Sequence, residues 1–337
     1  MHFLLTGHTG FKGSWLSLLL HERGHTVSGL ALAPASDGLF ERAEVREVIA
    51  EDMRVDIRDA TATASAVARA EPDVVIHLAA QALVRESYRT PRETFETNVM
   101  GTLNVLAAVQ EVPSVRAHVV VTTDKVYRNV GKRTGYSEAD PLGGDDPYSS
   151  SKAMADILAR SWATSFPGPP TAVARAGNVI GGGDISADRL IPDLIKGFES
   201  GKATRIRFPD AVRPWQHVLD CVNGYLVLVD ALLEGRGAGE WNFGPGAKSF
   251  VPVSEVADLA AKAWGQGATW LTEDGDHPHE ASLLALDASK AETELRWGNR
   301  LSFEDSVRWA VEWYRATPPA DARDISLRQI RKFEALK

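Results

Sequence analysis

The stretch His2-Phe3-Leu4-Leu5-Thr6-Gly7-His8-Thr9-Gly10-Phe11-Lys12-Gly13 decides the fold. It is typical of a short apolar strand, a glycine turn and the start of an apolar helix over residues 14–23. Gly7 permits the tight turn, Gly10 lets the backbone approach a pyrophosphate, and Gly13 lets the helix pack on the strand. The phosphates then lie at the helix N-terminus. The stretch predicts a dinucleotide site formed by Gly7, Thr9, Gly10, Phe11, Lys12 and Gly13.

Further apolar runs along the chain predict the remaining strands of a parallel sheet. They cover residues 26–32, 53–55, 73–78, 118–123 and 171–175, with helices predicted at 91–109 and from Tyr148 onward. We expect an α/β fold with a doubly wound (Rossmann) parallel sheet over residues 1–177. A smaller C-terminal α/β lobe over 178–316 is expected to bind mainly substrate. Within it, the pattern predicts a helix over 186–200 interrupted near Pro192, a strand over 205–209, and a short extended piece at 241–244. The charged tail, 317–337, is expected to form a solvated or partner-bound helix.

Composition excludes several classes of protein. The 337 residues carry 37 Lys plus Arg against 45 Asp plus Glu, a net charge of -8, without a basic block that would follow nucleic-acid phosphates. Cys221 is the single cysteine, so the chain has no internal disulfide and a reducing compartment is favoured. No apolar run approaches the roughly 20 residues that cross a bilayer. A strand starts at once without the features of a signal peptide. We therefore expect a cytoplasmic protein with neither a nucleic-acid nor a membrane partner.

The end of the second strand selects the cofactor. An acidic residue there normally holds the adenosine ribose, but this chain has Ala31-Leu32-Ala33-Pro34, without an acid until Asp37. The same tip has no arginine for a 2′-phosphate, and this favours NAD over NADP. Farther along, Asp56 and Ile57 follow the next strand and either contact the adenine or begin a helix.

Small residues follow the strand over 73–78. Leu78, Ala79 and Ala80 would let a cofactor come close to the backbone, whereas His77 is better explained as a packed core histidine. Asn98, inside the next helix, either braces a neighbouring helix or lies near the cofactor.

Two groups of side chains carry possible chemistry. Thr122, Thr123, Asp124 and Lys125 follow a buried strand, and ligands of open parallel sheets bind beyond the carboxyl ends of the strands. Asp124 and Lys125 form either a solvated ion pair or catalytic groups. Tyr148 and Lys152 lie four apart on a helix that begins with Asp145-Asp146-Pro147, so they share a face. A nearby ammonium favours the phenolate, and such a tyrosine can take a proton from an alcohol while a hydride leaves the same carbon.

With these motifs the chain resembles the extended short-chain dehydrogenase/reductase superfamily, and within it the nucleotide-sugar 4,6-dehydratases, above all the CDP-glucose branch. The resemblance covers nearly the whole chain. Its most specific parts are Thr6-Gly-His-Thr-Gly-Phe-Lys-Gly-Ser-Trp15, Asp124-Lys125, and Arg213-Pro-Trp-Gln-His-Val218. In the dTDP-glucose branch the second residue of the Asp-Lys pair is a glutamate, so Lys125 favours the CDP-glucose branch.

The resemblance implies an NAD-dependent lyase that acts on a nucleotide-diphosphate sugar, with CDP-glucose favoured, in deoxysugar biosynthesis. Thr123, Tyr148 and Lys152 would form its dehydrogenase core, and Asp124 and Lys125 would be the acid and the base of dehydration. It also places Gln81, Asn178, Arg189, Arg213 and His217 in the sugar-nucleotide pocket. The relatives further imply a homodimer or homotetramer, in which the helices over 91–109 and 148–166 pair.

The sequence departs from the family pattern at two positions. Ala33 stands where relatives usually have an aspartate, and Val126 replaces a usual cysteine. Neither departure affects the catalytic groups. The run His277-Pro278-His279-Glu280 superficially suggests a metal site, but no further ligand set is evident, so no metal is expected and His279 and Glu280 are better placed on a pocket wall.

Two other functions remain compatible with these motifs. A nucleotide-sugar 4-epimerase or decarboxylase would share Tyr148, Lys152 and the glycine turn but would not need Asp124 and Lys125. A non-catalytic dinucleotide-binding protein would more often have lost part of the Thr, Tyr and Lys set, and this chain has all three.

Overall fold

The computed structural model describes residues 1–246, 249–273, 275, 283–316 and 321–336. Within them, twelve strands follow one another along the chain. They are β1 (His2–Thr6), β2 (Thr26–Ala31), β3 (Glu51–Arg54), β4 (Val74–His77), β5 (Ala117–Thr123), β6 (Thr171–Ala176), β7 (Asn178–Ile180), β8 (Thr204–Ile206), β9 (Val212–His217), β10 (Gly239–Phe243), β11 (Phe250–Pro252) and β12 (Trp270–Thr272).

Helices connect these strands. They are α1 (Phe11–Glu22), α2 (Leu39–Arg42), α3 (Ala60–Ala70), α4 (Val84–Arg89), α5 (Pro91–Phe95), α6 (Thr102–Gln110), α7 (Pro147–Ser165), α8 (Leu190–Glu199), α9 (Val218–Leu233), α10 (Val253–Trp264), α11 (Ser289–Glu294), α12 (Phe303–Ala316) and α13 (Ala322–Glu334). Two 3-10 turns, Val45–Val48 and Asp124–Val126, complete the set together with a π-helical segment, Glu96–Gly101, which joins α5 to α6.

Seven strands form one parallel sheet in the order β10-β6-β5-β4-β1-β2-β3. The order reverses between β1 and β4, which is the topological switch point of a doubly wound fold. Every residue of β5 and β6 is buried, because helices cover both faces of the sheet. The predicted Rossmann sheet is confirmed. The polar side chains of the candidate site lie at its carboxyl edge.

The glycine turn fixes α1 against β1. Gly7 has φ +73°, a conformation that favours glycine, and a Cβ there would lie 2.8 Å from the amide nitrogen of Ala79. A Cβ on Gly13 would lie 2.2 Å from the carbonyl oxygen of Gly7, so only glycine allows the helix to start this close to the strand. α1 begins three residues earlier than its sequence pattern predicts, because the turn itself supplies the first helical residues.

The second lobe contains a three-stranded sheet, β11-β9-β7, and the pair β12-β8. Helix α8 starts at Leu190, so the predicted helix over 186–200 begins late, and Pro192 lies in its first turn without interrupting it. The extended piece expected near 241–244 is β10, which returns to the main sheet and pairs with β6. This segment thus completes the cofactor sheet although it follows the second lobe in sequence.

The C-terminal helix α13 packs on the body of the protein. Its residues Ile330 and Phe333 are fully buried, and Arg331 and Glu334 form ion pairs with Glu22 and Arg23 on α1. The charges that suggested a solvated or partner-bound tail therefore line one face of an amphipathic helix, whose other face is part of the core. Within the described residues no helix is long and apolar enough to cross a membrane.

Candidate active site

Two cavities open at the carboxyl edge of the main sheet. The larger, of about 380 Å³, extends from the glycine turn to Tyr148. The smaller, of about 150 Å³, lies between β7, α8 and β8 in the second lobe. They meet at Val179, Asp184 and Arg189, which line both. The arrangement offers a dinucleotide-sized site that is continuous with a second site.

Most residues predicted to bind the cofactor line the larger cavity. They are Gly7, Thr9, Gly10, Phe11, Lys12, Gly13, Asp56, Ile57, Leu78, Ala79, Ala80, Thr122, Tyr148 and Lys152. The start of α1 points its unpaired backbone amides into this cavity, as a pyrophosphate requires. Around Gly10, the nearest atom that a Cβ would meet is 3.4 Å away, which leaves the turn open to a ligand.

The adenosine end of the cavity lies between β2 and the residues after β3. Ala31 and Leu32 line it on one side and Asp56 and Ile57 on the other. Asp56 pairs with Arg58, and Asp59 rather than Asp56 caps α3, so Asp56 stays at the cavity as a possible adenine contact.

One finding at this end differs from the sequence expectation. The tip of β2 has no arginine of its own, but Arg54 arrives from β3 and donates to the carbonyl oxygen of Leu32 at 3.1 Å. Its other nitrogen pairs with Asp52 at 2.6 Å, so the guanidinium is held by a carboxylate.

Hydrogen bonds of buried side chains fix the end of β4 and the loop that follows it. His77 is fully buried and bonded to the hydroxyls of Thr6 and Thr102, which confirms its interpretation as a core histidine. Asn98 lies outside both cavities, in the π-helical segment, where its amide bonds the backbone of Gln81 and the hydroxyl of Ser151 on α7. Of its two predicted roles, the structure thus gives Asn98 the bracing one.

Tyr148 enters the site from the first turn of α7. Asp146 caps this helix in a reciprocal capping box with Ser149, and Pro147 occupies its first turn, as the sequence predicts. The phenol is 8% exposed and hydrogen-bonds Thr123. Burial raises the pKa of Tyr148, while the positive charge of Arg189 and the Thr123 bond oppose that rise. The lowered pKa expected from Lys152 is therefore wrong for this arrangement.

The Lys152 ammonium bonds a strand carbonyl and not the phenol. It donates to the carbonyl oxygen of Val121 at 2.8 Å, on the floor of the larger cavity. Burial and, to a smaller extent, the charge of Lys12 lower the pKa of Lys152 to about 8, against the opposing effect of Asp156. Spacing four apart brings Tyr148 and Lys152 to one face of the helix, but it does not decide where a long side chain ends.

Asp124 is the most deeply buried carboxyl at this edge. It is 2% exposed, and its Oδ1 accepts a hydrogen bond from the Thr123 hydroxyl at 3.0 Å. Its Oδ2 has no hydrogen-bond partner among the described residues. Burial raises the pKa of Asp124, while the charges of Lys125 and Arg213 and the Thr123 bond oppose the rise. Such a carboxyl holds its proton at higher pH than a solvated one, as an acid catalyst must.

A buried ion pair supports these residues from behind. Arg175 on β6 and Asp156 on α7 are both fully buried and joined by two bonds of 2.7 Å. Asp156 also accepts from the hydroxyl of Thr122, and Arg175 donates to the hydroxyl of Tyr127. The pair thus ties β6 to β5 and α7, the strand and the helix that carry Thr123, Tyr148 and Lys152.

The predicted substrate residues separate into two groups. Asn178, Arg189 and Arg213 line the smaller cavity. Gln81 does not line either cavity, because its side chain bonds Leu83 in its own loop and Thr94 on α5.

His217 also lies elsewhere than the resemblance implies. It is fully buried at the start of α9, where its Nδ1 accepts from the amide of Leu219 and its ring packs between Trp15 and Trp309. These contacts place it in the core and not in the sugar-nucleotide pocket.

Several lining residues were not singled out from sequence. The larger cavity adds Val55, Arg58 and Thr97, and the smaller one adds Asp188, Asp193, Arg205, Arg207 and Phe208. Arg205 and Arg207, which alternate along the chain around β8, were the sequence signal that could have pointed to the smaller cavity. The residues His277, His279 and Glu280 lie outside the described part of the chain, and among the residues inside it no cluster suited to a metal occurs.

Comparison with known proteins decides the family. Residues 3–244 match the NAD dependent epimerase/dehydratase family. The chain belongs to this family. Its relatives include the CDP-glucose 4,6-dehydratase of Salmonella typhimurium, 44% identical over 93% of this chain and 90% of that protein. The dTDP-glucose 4,6-dehydratase 1 of Escherichia coli is 30% identical over 93% of this chain and 92% of its own length.

Among solved structures of the family, the dTDP-glucose 4,6-dehydratase of Bacillus anthracis in complex with NAD shares the fold. Its TM-score is 0.80 at 24% identity, and the match covers 94% of this chain and 97% of that chain. These findings confirm the expected family, the Rossmann fold and the NAD-dependent class of the chain.

Proposed function

We propose that this member of the epimerase/dehydratase family is a lyase that removes water from CDP-glucose and forms CDP-4-keto-6-deoxyglucose. The observation that carries the proposal is the buried Asp124, held beside Thr123 and Tyr148 with a raised pKa. An epimerase needs the tyrosine but has no step that uses this acid. The 44% identity with a CDP-glucose 4,6-dehydratase supports the same choice.

The larger cavity fits NAD, because it combines the glycine turn, the start of α1 and the ammonium of Lys152. When bound there, NAD supplies an acceptor for the hydride at sugar C4 and returns it at C6. Tyr148 takes the proton of the C4 hydroxyl, and Thr123 hydrogen-bonds the same oxygen. Because burial raises the pKa of Tyr148, the positive charge of Arg189 and the contact with Thr123, which oppose that rise, must outweigh it for the phenol to act as a base.

Dehydration follows once C4 is a ketone, since the ketone acidifies the proton on C5. Lys125, directly after Asp124 in the 3-10 turn, takes the C5 proton. Asp124 donates its proton to the departing C6 hydroxyl, and water leaves. Asp124 and Lys125 come from one short turn, so the acid and the base stay at a fixed separation while the sugar reacts.

Arg189 and Arg213 are suited to hold the diphosphate. Arg189 lies where the two cavities meet, and Arg213 lies along the smaller one. The planar fork of arginine binds phosphate oxygens through two parallel bonds. A substrate anchored there would place its sugar toward Tyr148 and its base in the second lobe.

Mass spectrometry of the products from CDP-, dTDP-, GDP- and UDP-glucose tests the proposal. We expect CDP-glucose to lose water without added reductant, with the other donors reacting more slowly. A product that keeps its C6 hydroxyl would favour an epimerase instead. No product from any donor would favour a non-catalytic binding protein.

We also propose that two copies pair through α7 and the π-helical segment beside it. Met154 and Ile157 are three apart on one face of α7 and about half exposed, as is Met100 on the neighbouring segment. A contiguous apolar face of this kind suits a second copy of the chain. Light scattering should give twice the monomer mass, and the Met154→Glu, Ile157→Glu double variant should give the monomer mass.

A further inference from the structure

One carboxylate in the smaller cavity has no hydrogen-bond or ion-pair partner in the part of the chain that the structure describes. Asp193 is half-buried on the cavity wall, yet its side chain forms neither a hydrogen bond nor an ion pair with any described residue. The two other carboxylates that line this cavity are engaged. Asp188 pairs with Arg85 at 2.6 Å and Arg207 at 3.5 Å, and Asp184 accepts from a backbone amide. Asp193 is therefore the acceptor that remains for a ligand.

Asp193 lines the smaller cavity on the side of the meeting point that is away from Tyr148. The reacting sugar must lie near Tyr148, and the cavities meet at Arg189. Asp193 follows Arg189 by four residues, which is one helical turn farther into the second lobe. Around it the cavity is lined by Thr204, Arg205 and Phe208. The same cavity therefore combines a carboxylate with aromatic and cationic lining residues, a setting suited to a flat heterocycle.

We propose that the Asp193 carboxylate accepts a hydrogen bond from the exocyclic amino group of cytosine and thereby sets the preference for cytidine nucleotides. The inference rests on the proposed function, because it assumes a nucleotide-diphosphate sugar in this cavity. Cytosine presents an amino donor where uracil and thymine present a carbonyl acceptor. A carboxylate accepts from the first and repels the second, so one side chain both attracts the correct base and disfavours the wrong one.

The surroundings of Asp193 make such a bond effective. Burial raises the pKa of its carboxyl, and the carboxylates of Asp188 and Asp184 add to the rise, whereas the charges of Lys196 and Arg207 oppose it. A partly desolvated carboxylate without a partner is costly, and a donor from the ligand removes that cost. The position of Asp193 in the first turn of α8 stabilises its charge but provides no such donor.

Binding of CDP and UDP to the full-length, NAD-saturated chain tests the inference by calorimetry. Wild-type protein should bind CDP more tightly than UDP. In Asp193→Ala, CDP should bind roughly 10- to 100-fold more weakly, as expected when a hydrogen bond to a charged group is lost. UDP should bind as before or more tightly, because the repulsion is gone. The matched control is Asp188→Asn, on the same wall, which should change both affinities by the same factor.

The outcomes separate this inference from the proposed function. An unchanged CDP-to-UDP ratio in folded Asp193→Ala, with its melting temperature as the check on folding, would overturn the role of Asp193 even if the wild type dehydrates CDP-glucose. A ratio that shifts further toward CDP would overturn it as well. Conversely, a ratio that collapses toward one in a protein that turns over no sugar nucleotide would keep the base-reading role and refute only the reaction.

Discussion

Replacement of Asp124 by asparagine separates the two halves of the proposed reaction. The amide keeps the Oδ1 acceptor that receives the Thr123 hydroxyl at 3.0 Å, and its nitrogen takes the place of Oδ2, which has no partner among the described residues. Burial raises the pKa of this carboxyl, so its protonated form, which is neutral like the amide, persists to higher pH than in a solvated carboxyl. Asp124→Asn thus removes the transferable proton while disturbing shape and charge little.

The expected loss follows from the chemistry of a single proton transfer. A positioned general acid contributes roughly 10²- to 10⁴-fold to a rate, so formation of the 4-keto-6-deoxy product should slow by that factor. Oxidation at C4 does not need Asp124 and should continue. In a single turnover with CDP-glucose, absorbance of reduced nicotinamide should therefore rise and persist, whereas in the wild type it decays as the product forms.

Tyr148→Phe is the matched control, because it should lose both the absorbance signal and the product. Two results would refute the reasoning. Wild-type turnover by Asp124→Asn would show that the carboxyl gives no proton to the leaving hydroxyl. Loss of the reduced-nicotinamide signal together with the product would place Asp124 in substrate binding or in oxidation instead of dehydration.

Three further predictions follow from the same geometry. Lys125→Met should bind NAD normally, measured by fluorescence titration, and stop loss of water; normal dehydration would remove Lys125 from the mechanism. Because the pKa of Lys152 is about 8, the NAD dissociation constant should be flat at lower pH and rise up to tenfold per pH unit above 8, as the ammonium that binds the ligand loses its proton. Lys152→Arg should abolish that dependence, and a wild-type profile that stays flat to pH about 10 would contradict the assignment. Arg175→Met leaves the carboxylate of Asp156 buried and unpaired, and should cost about 3 to 5 kcal/mol of unfolding free energy in scanning calorimetry. The double variant with Asp156→Leu should recover most of this loss, and a double variant no more stable than the single one would argue against an unpaired charge as the cause.

The sequence was sufficient to predict the glycine turn, the parallel sheet and the sheet edge at which the site lies. The glycine turn can be read directly because its spacing sets the local path from strand to helix, and a Cβ on Gly13 would meet Gly7 and His8 within the same turn. The apolar runs predict buried parallel strands, and in such a sheet all carboxyl ends lie at one edge. For this reason the sequence alone predicts that Thr123, Asp124 and Tyr148 lie together.

Tertiary structure decided where individual side chains point. His217 and Gln81 face protein groups instead of a ligand, because Trp309 and Thr94, both distant in sequence, lie beside them. The ammonium of Lys152 ends at a strand carbonyl and not at the phenol. Helical spacing fixes the face on which a side chain starts, but packing against remote elements determines where it ends.

Sequence spacing is equally insufficient for charged side chains, because only the fold decides which of them form ion pairs. Nothing local indicates that Arg175 would pair with Asp156. Nor does it indicate that Asp188 would have two ion-pair partners while Asp193 has none among the residues that the structure describes. The amino-acid pattern by itself determined the sheet, the cofactor turn and the edge at which chemistry occurs, since these depend on local periodicity. Only the tertiary structure decided which polar groups are satisfied within the protein and which remain for a ligand, since that depends on neighbours far away along the chain.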